Sequence, residues 1–168
     1  MITKSKEQRI AVIIDAQNMY HSAKNLYGAK VNFSEVLKTA VAGRKLIRAI
    51  AYAIQTESGE EKAFFEALER MGIEVRMKDL QIFPGGMKKG DWDVGIAVDT
   101  IKLSDFLDTI VLVTGDGDFV PLVEYVKNAK AARVEVIAFG RSSSGKLKEA
   151  ADEFIDLEKN PKKYLIKK

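Results

Sequence analysis

The segment IAVIID, residues 10–15 near the beginning of the sequence, is the clearest indication of the fold class. Its first five residues are apolar and mostly β-branched, which is typical of a strand buried on both faces. Strands of this kind occur in parallel sheets whose two faces are covered by helices. The segment therefore predicts a strand of a parallel sheet, with Asp15 at its carboxyl end.

Short apolar runs alternate with helix-like segments along the rest of the chain, which predicts an α/β protein with helices on both faces of the sheet. Further strands are predicted at residues 46–54, 73–77, 110–113 and 134–139, with an edge strand at 154–157. Helices are predicted at residues 18–27, 32–43, 58–72, 92–103, 118–129 and 145–151. Ser58 and Glu61 form a predicted capping box, and the Gly-rich segment 83–90 is predicted to be a loop.

The composition limits the chemistry that the protein can perform. The chain has 168 residues, of which 46% are hydrophobic and 30% charged, as expected for one globular domain. It has no cysteine and a single histidine, His21, which argues against zinc–thiolate sites, thiol nucleophiles and histidine-based triads. Any metal ion must therefore be held by oxygen ligands. The net charge of +3 does not by itself identify a nucleic-acid-binding protein.

The ends of the chain carry simple expectations. The sequence has neither a membrane-spanning run nor a signal-peptide core, which predicts a cytoplasmic protein. Lysines cluster around Pro161 near the carboxyl terminus. Residues 159–168 are therefore predicted to be a solvated, Lys-rich tail that follows a folded domain of residues 1–158.

Acidic residues follow two of the predicted strands. Asp15 comes directly after the first strand, and two residues separate Asp116 from the fourth. If these strands are neighbours, about 4.8 Å apart, both carboxylates lie at one edge of the sheet and can share an ion. An acid after a strand also commonly caps the next helix or turn. Asp118 lies just before the predicted helix that carries Pro121 in its first turn. For this residue, capping of that helix and metal binding are about equally good interpretations.

A third acid, Asp93, lies at the start of the helix 92–103 on an otherwise apolar face, where an unpaired carboxylate is costly. Asp91 is interpreted as an ordinary helix-start acid. Asp99 lies about 120° from Asp93 around the helix and is interpreted as a structural acid. Converging carboxylates raise one another's pKa unless a cation joins them, and oxygen ligands favour Mg²⁺ or Mn²⁺. Such ions activate water for in-line attack on phosphorus.

A phosphatase of the haloacid dehalogenase type also uses strand-end aspartates, so the acids alone do not identify the reaction. That family needs Asp-x-Asp after the first strand. Because residue 17 is Gln, a phosphatase is the less favoured interpretation.

Motifs distributed along nearly the whole chain carry a family resemblance. They are IDAQN at residues 14–18, KGDWDV at 89–94, AVD at 97–99, TGDGDF at 114–119 and ADEFIDL at 151–157. At these motifs the sequence resembles the NYN domain family, in the LabA-like branch of the PIN-like nuclease superfamily. The resemblance implies a single-domain Rossmann-like α/β/α sandwich with a mainly parallel sheet of five to six strands. It also implies metal-dependent cleavage of RNA.

Carried over residue by residue, the resemblance implies that Asp15, Asp93 and Asp116 hold the metal ion. It further implies that Asp118 is a fourth acid and that Asn18 orients the site. The expected function is therefore that of an endoribonuclease that uses a carboxylate-bound Mg²⁺ or Mn²⁺ to hydrolyse phosphodiester bonds.

Other residues are expected to contact the substrate: Lys88, Lys89, Thr114, Arg141 and Ser142. The two lysines lie in the Gly-rich segment, and the last two residues follow the fifth strand on the same rim as the acids. Backbone N–H groups at the start of the next helix are suited to a phosphate.

Two alternatives to an RNA-cleaving enzyme stay open, namely a non-catalytic RNA-binding or regulatory module and a small-molecule phosphatase. The expected partner is single-stranded RNA, and analogy with a related fold suggests a homodimer. The lone His21 is interpreted as a packing or surface residue, so no protein group is an obvious general base.

Overall fold

The computed structural model describes residues 4–56, 58–59, 61–86 and 88–166, and for Lys88 and Lys89 it describes the backbone alone. The strands are β1 (Arg9–Asp15), β2 (Lys30–Val31), β3 (Lys45–Gln55), β4 (Glu74–Asp79), β5 (Gln81–Ile82), β6 (Lys88–Lys89), β7 (Thr109–Val113), β8 (Arg133–Ala138), β9 (Glu153–Asp156) and β10 (Leu165–Ile166). The helices are α1 (Ala16–Tyr27), α2 (Phe33–Val41), α3 (Lys62–Arg70), α4 (Asp93–Ser104), α5 (Val120–Ala129), α6 (Gly145–Ala150) and α7 (Pro161–Tyr164). Among the residues that the structure describes, no helix has the length and apolar character needed to cross a membrane.

The central sheet has six strands in the order β4-β3-β1-β7-β8-β9, and its neighbouring strands are parallel. The predicted α/β fold with a mainly parallel sheet is therefore confirmed. β1 lies in the interior of the sheet, and residues 10–14 are at most 1% exposed. The strand order reverses between β1 and β7, where Ile14 lies opposite Val113. In an open parallel sheet, the carboxyl ends at such a reversal form the crevice that binds ligands.

Helices cover both faces of this sheet. Val12 belongs to the core layer to which α1 and α2 contribute Met19 and Val36. The next residue, Ile13, belongs to the opposite layer, to which α4 contributes Ile96. Because successive strand residues point to opposite faces, β1 anchors both layers, which fixes the end of β1 relative to the start of α4.

The carboxyl-terminal segment is packed against the domain, which corrects the prediction of a solvated tail. Tyr164 is buried, and its hydroxyl lies 2.8 Å from Thr39 Oγ1 on α2. β10 pairs antiparallel with β2, and Leu165 lies opposite Val31. The lysines of α7 are exposed as expected, but the lysine-rich composition concealed the two apolar residues that anchor the segment.

Three local predictions were wrong. Part of the segment 83–90 is a strand rather than a loop, because β6 pairs antiparallel with β5. α3 begins at Lys62, so Ser58 is not its N-cap residue. α5 begins at Val120 after a 3₁₀ turn, so Asp118 is not the cap of that helix.

A buried ion pair lies away from the carboxyl-terminal edge of the sheet. Arg44 precedes β3, Glu135 is in β8, and both side chains are 0% exposed. Arg44 Nη1 and Nη2 donate to the two carboxylate oxygens of Glu135 at 2.9 and 2.8 Å. Nη2 and Nε also donate to the carbonyl oxygens of Ala40 and Val41. Burial alone raises the pKa of Glu135, but hydrogen bonds from Arg44 and Arg133 hold it below its ordinary value.

Candidate metal centre

Three carboxylates meet at the carboxyl end of the sheet. Asp15 is the last residue of β1, Asp93 is the first residue of α4, and Asp116 lies in the turn after β7. Each side chain is half-buried and offers one oxygen, and these three oxygens lie within 4.8 Å of one another. The structure therefore brings together the three residues that the sequence predicts as metal ligands.

Asp15 contributes to the fold and to this cluster at the same time. Its Oδ1 accepts a hydrogen bond from the Asn18 N–H at 3.2 Å, which caps α1. Its Oδ2 accepts one from the Thr114 hydroxyl at 3.1 Å. Because a carboxylate has about four lone-pair sites, acceptor capacity remains for a cation. The capping and metal-binding interpretations are therefore compatible at this residue.

Asn18 and Thr114 hold the ends of β1 and β7 together. Asn18 Oδ1 accepts a hydrogen bond from the Gly115 N–H at 3.0 Å. Thr114 Oγ1 accepts one from the Asp116 N–H at 3.2 Å while it donates to Asp15. Thr114 is only 1% exposed, and its hydroxyl bonds the Asp15 carboxylate and the Asp116 backbone N–H, while the prediction that it contacts substrate stays a prediction.

The turn after β7 is in close contact with the loop that follows β8, and this contact requires glycine at position 115. A Cβ on Gly115 would lie 2.6 Å from Ser143 Oγ and 3.1 Å from the Ser142 carbonyl oxygen. The Gly115 carbonyl accepts a hydrogen bond from the Ser144 N–H at 3.0 Å. The contact brings Ser142 to the cleft that contains the three carboxylates.

Burial and like charge raise the pKa of two members of the cluster. Burial raises the pKa of Asp15 to about 6; the hydrogen bonds that it accepts oppose this rise, and the charges of Asp116 and Asp91 add to it. Burial also raises the pKa of Asp93 to about 6, and the charges of Asp116, Asp91, Asp15 and Asp118 add to it. The cluster is therefore unfavourable when all of its members are ionised and no cation is bound.

The donor set fits a divalent cation that prefers oxygen. Among the residues that the structure describes, no lysine or arginine lines the cleft, so no side-chain cation offsets the three carboxylates. Mg²⁺ and Mn²⁺ are bound through carboxylates and water, whereas structural zinc sites use mainly sulfur and imidazole ligands. Asp15, Asp93 and Asp116 are thus the residues that would hold such an ion.

The raised pKa values predict how the metal-free protein responds to pH. A carboxyl whose pKa is higher in the folded state stabilises the fold at low pH, and this stabilisation is lost as pH rises through about 6. Since an amide carries no charge, we expect Asp15→Asn in EDTA at neutral pH to raise the free energy of unfolding by about 2 kcal/mol. At a pH of about 4, close to the pKa of this carboxyl in the unfolded chain, the gain in stability should almost vanish. Urea unfolding of both proteins at the two pH values measures it, and a variant no more stable than the wild type at neutral pH would contradict the prediction.

Two further acids lie beside the cluster, and the structure gives Asp91 a larger part than the sequence suggested. Asp91 Oδ1 accepts a hydrogen bond from the Asp93 N–H at 3.2 Å, and Asp91 lines the same cleft as the three carboxylates. Asp118, predicted as the fourth acid, is exposed, and its N–H donates to Asp116 Oδ1 at 2.9 Å. Of the charges that raise the pKa of Asp93, that of Asp118 has the smallest effect. Asp91 was missed because an acid just before a helix is usually interpreted as a cap, whereas the N-cap residue of α4 is Trp92.

α4 is held against the sheet by side chains around its first two turns. Trp92 Nε1 donates to the Ala53 carbonyl at 2.9 Å, and the Trp92 ring meets the Tyr52 ring edge-on at 5.4 Å. The Tyr52 hydroxyl donates to Asp99 at 2.7 Å, and Asp99 also forms an ion pair with Arg76. Asp99 is therefore a structural acid that fixes α4, in agreement with the interpretation from the sequence.

The remaining predicted substrate contacts differ in their positions. Ser142 lines the cleft beside the carboxylates. Arg141 is exposed, but its Nε donates to Glu158 at 2.7 Å, so its guanidinium already forms an ion pair with the Glu158 carboxylate. The side chains of Lys88 and Lys89 lie outside the described residues, so the prediction that they contact substrate stays a prediction.

The cleft that contains the cluster also reaches along α1. It has a volume of about 310 Å³, and α1 contributes Gln17, His21 and Asn25 to its lining. His21 is exposed, in agreement with its interpretation as a packing or surface residue, but its place on the wall of this cleft was not predicted. Helical spacing shows which residues share a face of a helix, but it does not show what that face borders.

Known proteins resemble the chain in sequence and in fold. A model of the NYN domain matches residues 9–158. The low amplitude and bright protein LabA of Synechococcus elongatus is 29% identical over 161 residues, which cover 90% of this chain and 85% of LabA. A crystal structure of a protein of unknown function from Vibrio parahaemolyticus has a TM-score of 0.87 and 30% identity, and the match covers 98% of this chain and 100% of that one. A carbohydrate kinase from Agrobacterium tumefaciens shares the fold alone. It has 11% identity and a TM-score of 0.50, and the match covers 88% of this chain and 60% of the kinase.

Proposed function

The chain belongs to the NYN domain family, and from that premise we propose that it is an endoribonuclease that uses Mg²⁺ or Mn²⁺ to hydrolyse single-stranded RNA. The observation that carries the proposal is the cluster of Asp15, Asp93 and Asp116, whose oxygens lie within 4.8 Å of one another. A divalent cation held by such a cluster supplies electrophilic stabilisation of a phosphoryl oxygen and lowers the pKa of an attacking water.

The chain's own residues position this chemistry. The Thr114 hydroxyl donates to the Asp15 carboxylate and accepts from the Asp116 N–H, and the Asn18 side chain accepts from the Gly115 N–H. These bonds orient the Asp15 carboxylate and hold the Asp116 backbone beside it before substrate arrives. Such preorganisation lowers the cost of reaching the transition state. Asp118 and Asp91 extend the acidic rim beside the three carboxylates.

Incubation of fluorescein-labelled single-stranded RNA with Mn²⁺ or with EDTA tests the proposal, with a chromogenic phosphomonoester assayed in parallel. We expect the RNA to be cut in Mn²⁺ and to stay intact in EDTA, while the phosphomonoester is not hydrolysed. RNA that is bound but not cut would favour a regulatory binding module, and hydrolysis of the phosphomonoester alone would favour a phosphatase. Either result would overturn the proposed function.

A further inference from the structure

We propose that the α1 wall of the cleft, formed by Gln17, His21 and Asn25, binds the base and ribose of the nucleotide next to the scissile phosphate. This inference rests on the proposed function, because the cluster of Asp15, Asp93 and Asp116 is taken as the place where the phosphate reacts. It deepens that function, since it assigns to three neutral side chains the recognition of a single-stranded nucleotide.

The geometry of α1 places this wall at the right position. The three residues are spaced by four along the helix, so they share one face, and all three line the cleft that contains the carboxylates. α1 begins directly after Asp15. At 1.5 Å per residue, His21 therefore lies about 9 Å and Asn25 about 15 Å from Asp15 along the helix axis. The wall thus extends along α1 away from the cluster, on the path that the nucleotide next to the reacting phosphate would follow.

The hydrogen-bonding groups of the wall are held in a defined arrangement. Gln17 Nε2 lies 3.3 Å from His21 Nε2, and the Tyr20 ring packs edge-on against the imidazole at 5.4 Å between centroids. Because an amide NH₂ group only donates, this contact is a hydrogen bond when Nδ1 of the imidazole carries the proton and Nε2 accepts. Gln17 Oε1 is then an acceptor and His21 Nδ1–H a donor, and Asn25 adds one group of each kind. Base edges and the ribose 2′-hydroxyl require both donors and acceptors.

The charge and size of the cleft also favour a base and a ribose. Ionic contacts to phosphate are made by lysine and arginine. In the described part of the chain, neither residue type lines this cleft, so its α1 wall offers no ionic contact to the phosphate backbone. The volume of about 310 Å³ is at the lower end of the range for ligand pockets, which suits one nucleotide unit rather than a duplex.

Fluorescence anisotropy with labelled homopolymers of uridylate, cytidylate and adenylate tests the wall, with Asp116→Asn in every protein to keep the RNA intact. We expect His21→Ala and Asn25→Ala each to weaken binding by about tenfold, the upper range for a lost neutral hydrogen bond. The loss should differ among the three bases. The slope of log affinity against log salt should stay unchanged, because no ionic contact is removed.

Asn128→Ala is the matched control, since Asn128 is exposed on α5 and does not line the cleft. If His21→Ala and Asn25→Ala bind within about twofold of the parent, like this control, the inference is wrong. An equal loss for all three bases with a shallower salt slope would also overturn it, because that result indicates phosphate contacts. Failure of the proposed function is recognised separately, by the absence of RNA cleavage when Asp116 is intact.

Discussion

Asp93→Asn should lower the rate of Mn²⁺-dependent RNA cleavage by about a hundredfold or more. The substitution removes one of the three carboxylates at the cluster while keeping the size and shape of the side chain. A bound metal ion contributes several kcal/mol to the stabilisation of the transition state, and each 1.4 kcal/mol corresponds to a factor of ten in rate. The initial rate of cleavage of labelled single-stranded RNA at saturating Mn²⁺ measures the effect.

Asp105→Asn at the other end of α4 is the control for this variant. Asp105 is half exposed and pairs with Lys130 at 2.8 Å, so the same substitution there alters a surface ion pair only. Asp105→Asn should cleave RNA at nearly the wild-type rate, and metal-free Asp93→Asn should melt no lower than the wild type, since its raised pKa marks an unfavourable charge. A folded Asp93→Asn variant that cuts RNA as fast as Asp105→Asn would exclude Asp93 as a ligand.

Glu135→Gln should lower the free energy of unfolding by about 3–5 kcal/mol, the largest effect on stability that we expect from a single substitution. Arg44 is completely buried and directs two hydrogen bonds to this carboxylate. The neutral amide leaves the guanidinium without a counter-charge in a region that water does not reach. Urea unfolding at neutral pH measures the loss.

Two further variants test whether the expected loss of stability comes from the burial of this pair or from the loss of any ion pair. Glu74→Gln breaks the pair between Arg48 and the half-exposed Glu74, and it should cost less than about 1 kcal/mol. The double variant Arg44→Met with Glu135→Leu removes both buried charges and should recover most of the stability. Equal losses for Glu135→Gln and Glu74→Gln would show that burial does not strengthen the Arg44–Glu135 interaction.

The part of the fold that could be predicted is the part specified by local patterns. The continuous apolar runs at residues 10–14 and 110–113 identify buried parallel strands, and their acids fall at the carboxyl edge for that reason. The adjacency of β1 and β7, on which the predicted ligand set depends, is confirmed. Asn32 also caps α2 through the Glu35 N–H, at the start of the helix predicted at residues 32–43.

Features that depend on distant residues could not be predicted in the same way. Glu135 interrupts an apolar strand, and its partner Arg44 is 91 residues away, so no local pattern pairs them. Tyr164 follows two lysines and was hidden by them, although it packs beside Thr39 of α2. The position of His21 on the cleft depends on how α1 lies against the sheet, which helical spacing alone does not determine.

Mn²⁺ soaked into crystals of the protein shows whether the three carboxylates hold a divalent cation, because manganese can be located by its anomalous scattering. We expect an anomalous difference peak enclosed by the carboxylates of Asp15, Asp93 and Asp116, and we expect this peak to be lost in crystals of Asp116→Ala. A map of the wild type at saturating Mn²⁺ with no peak at these three carboxylates would exclude them as the metal site.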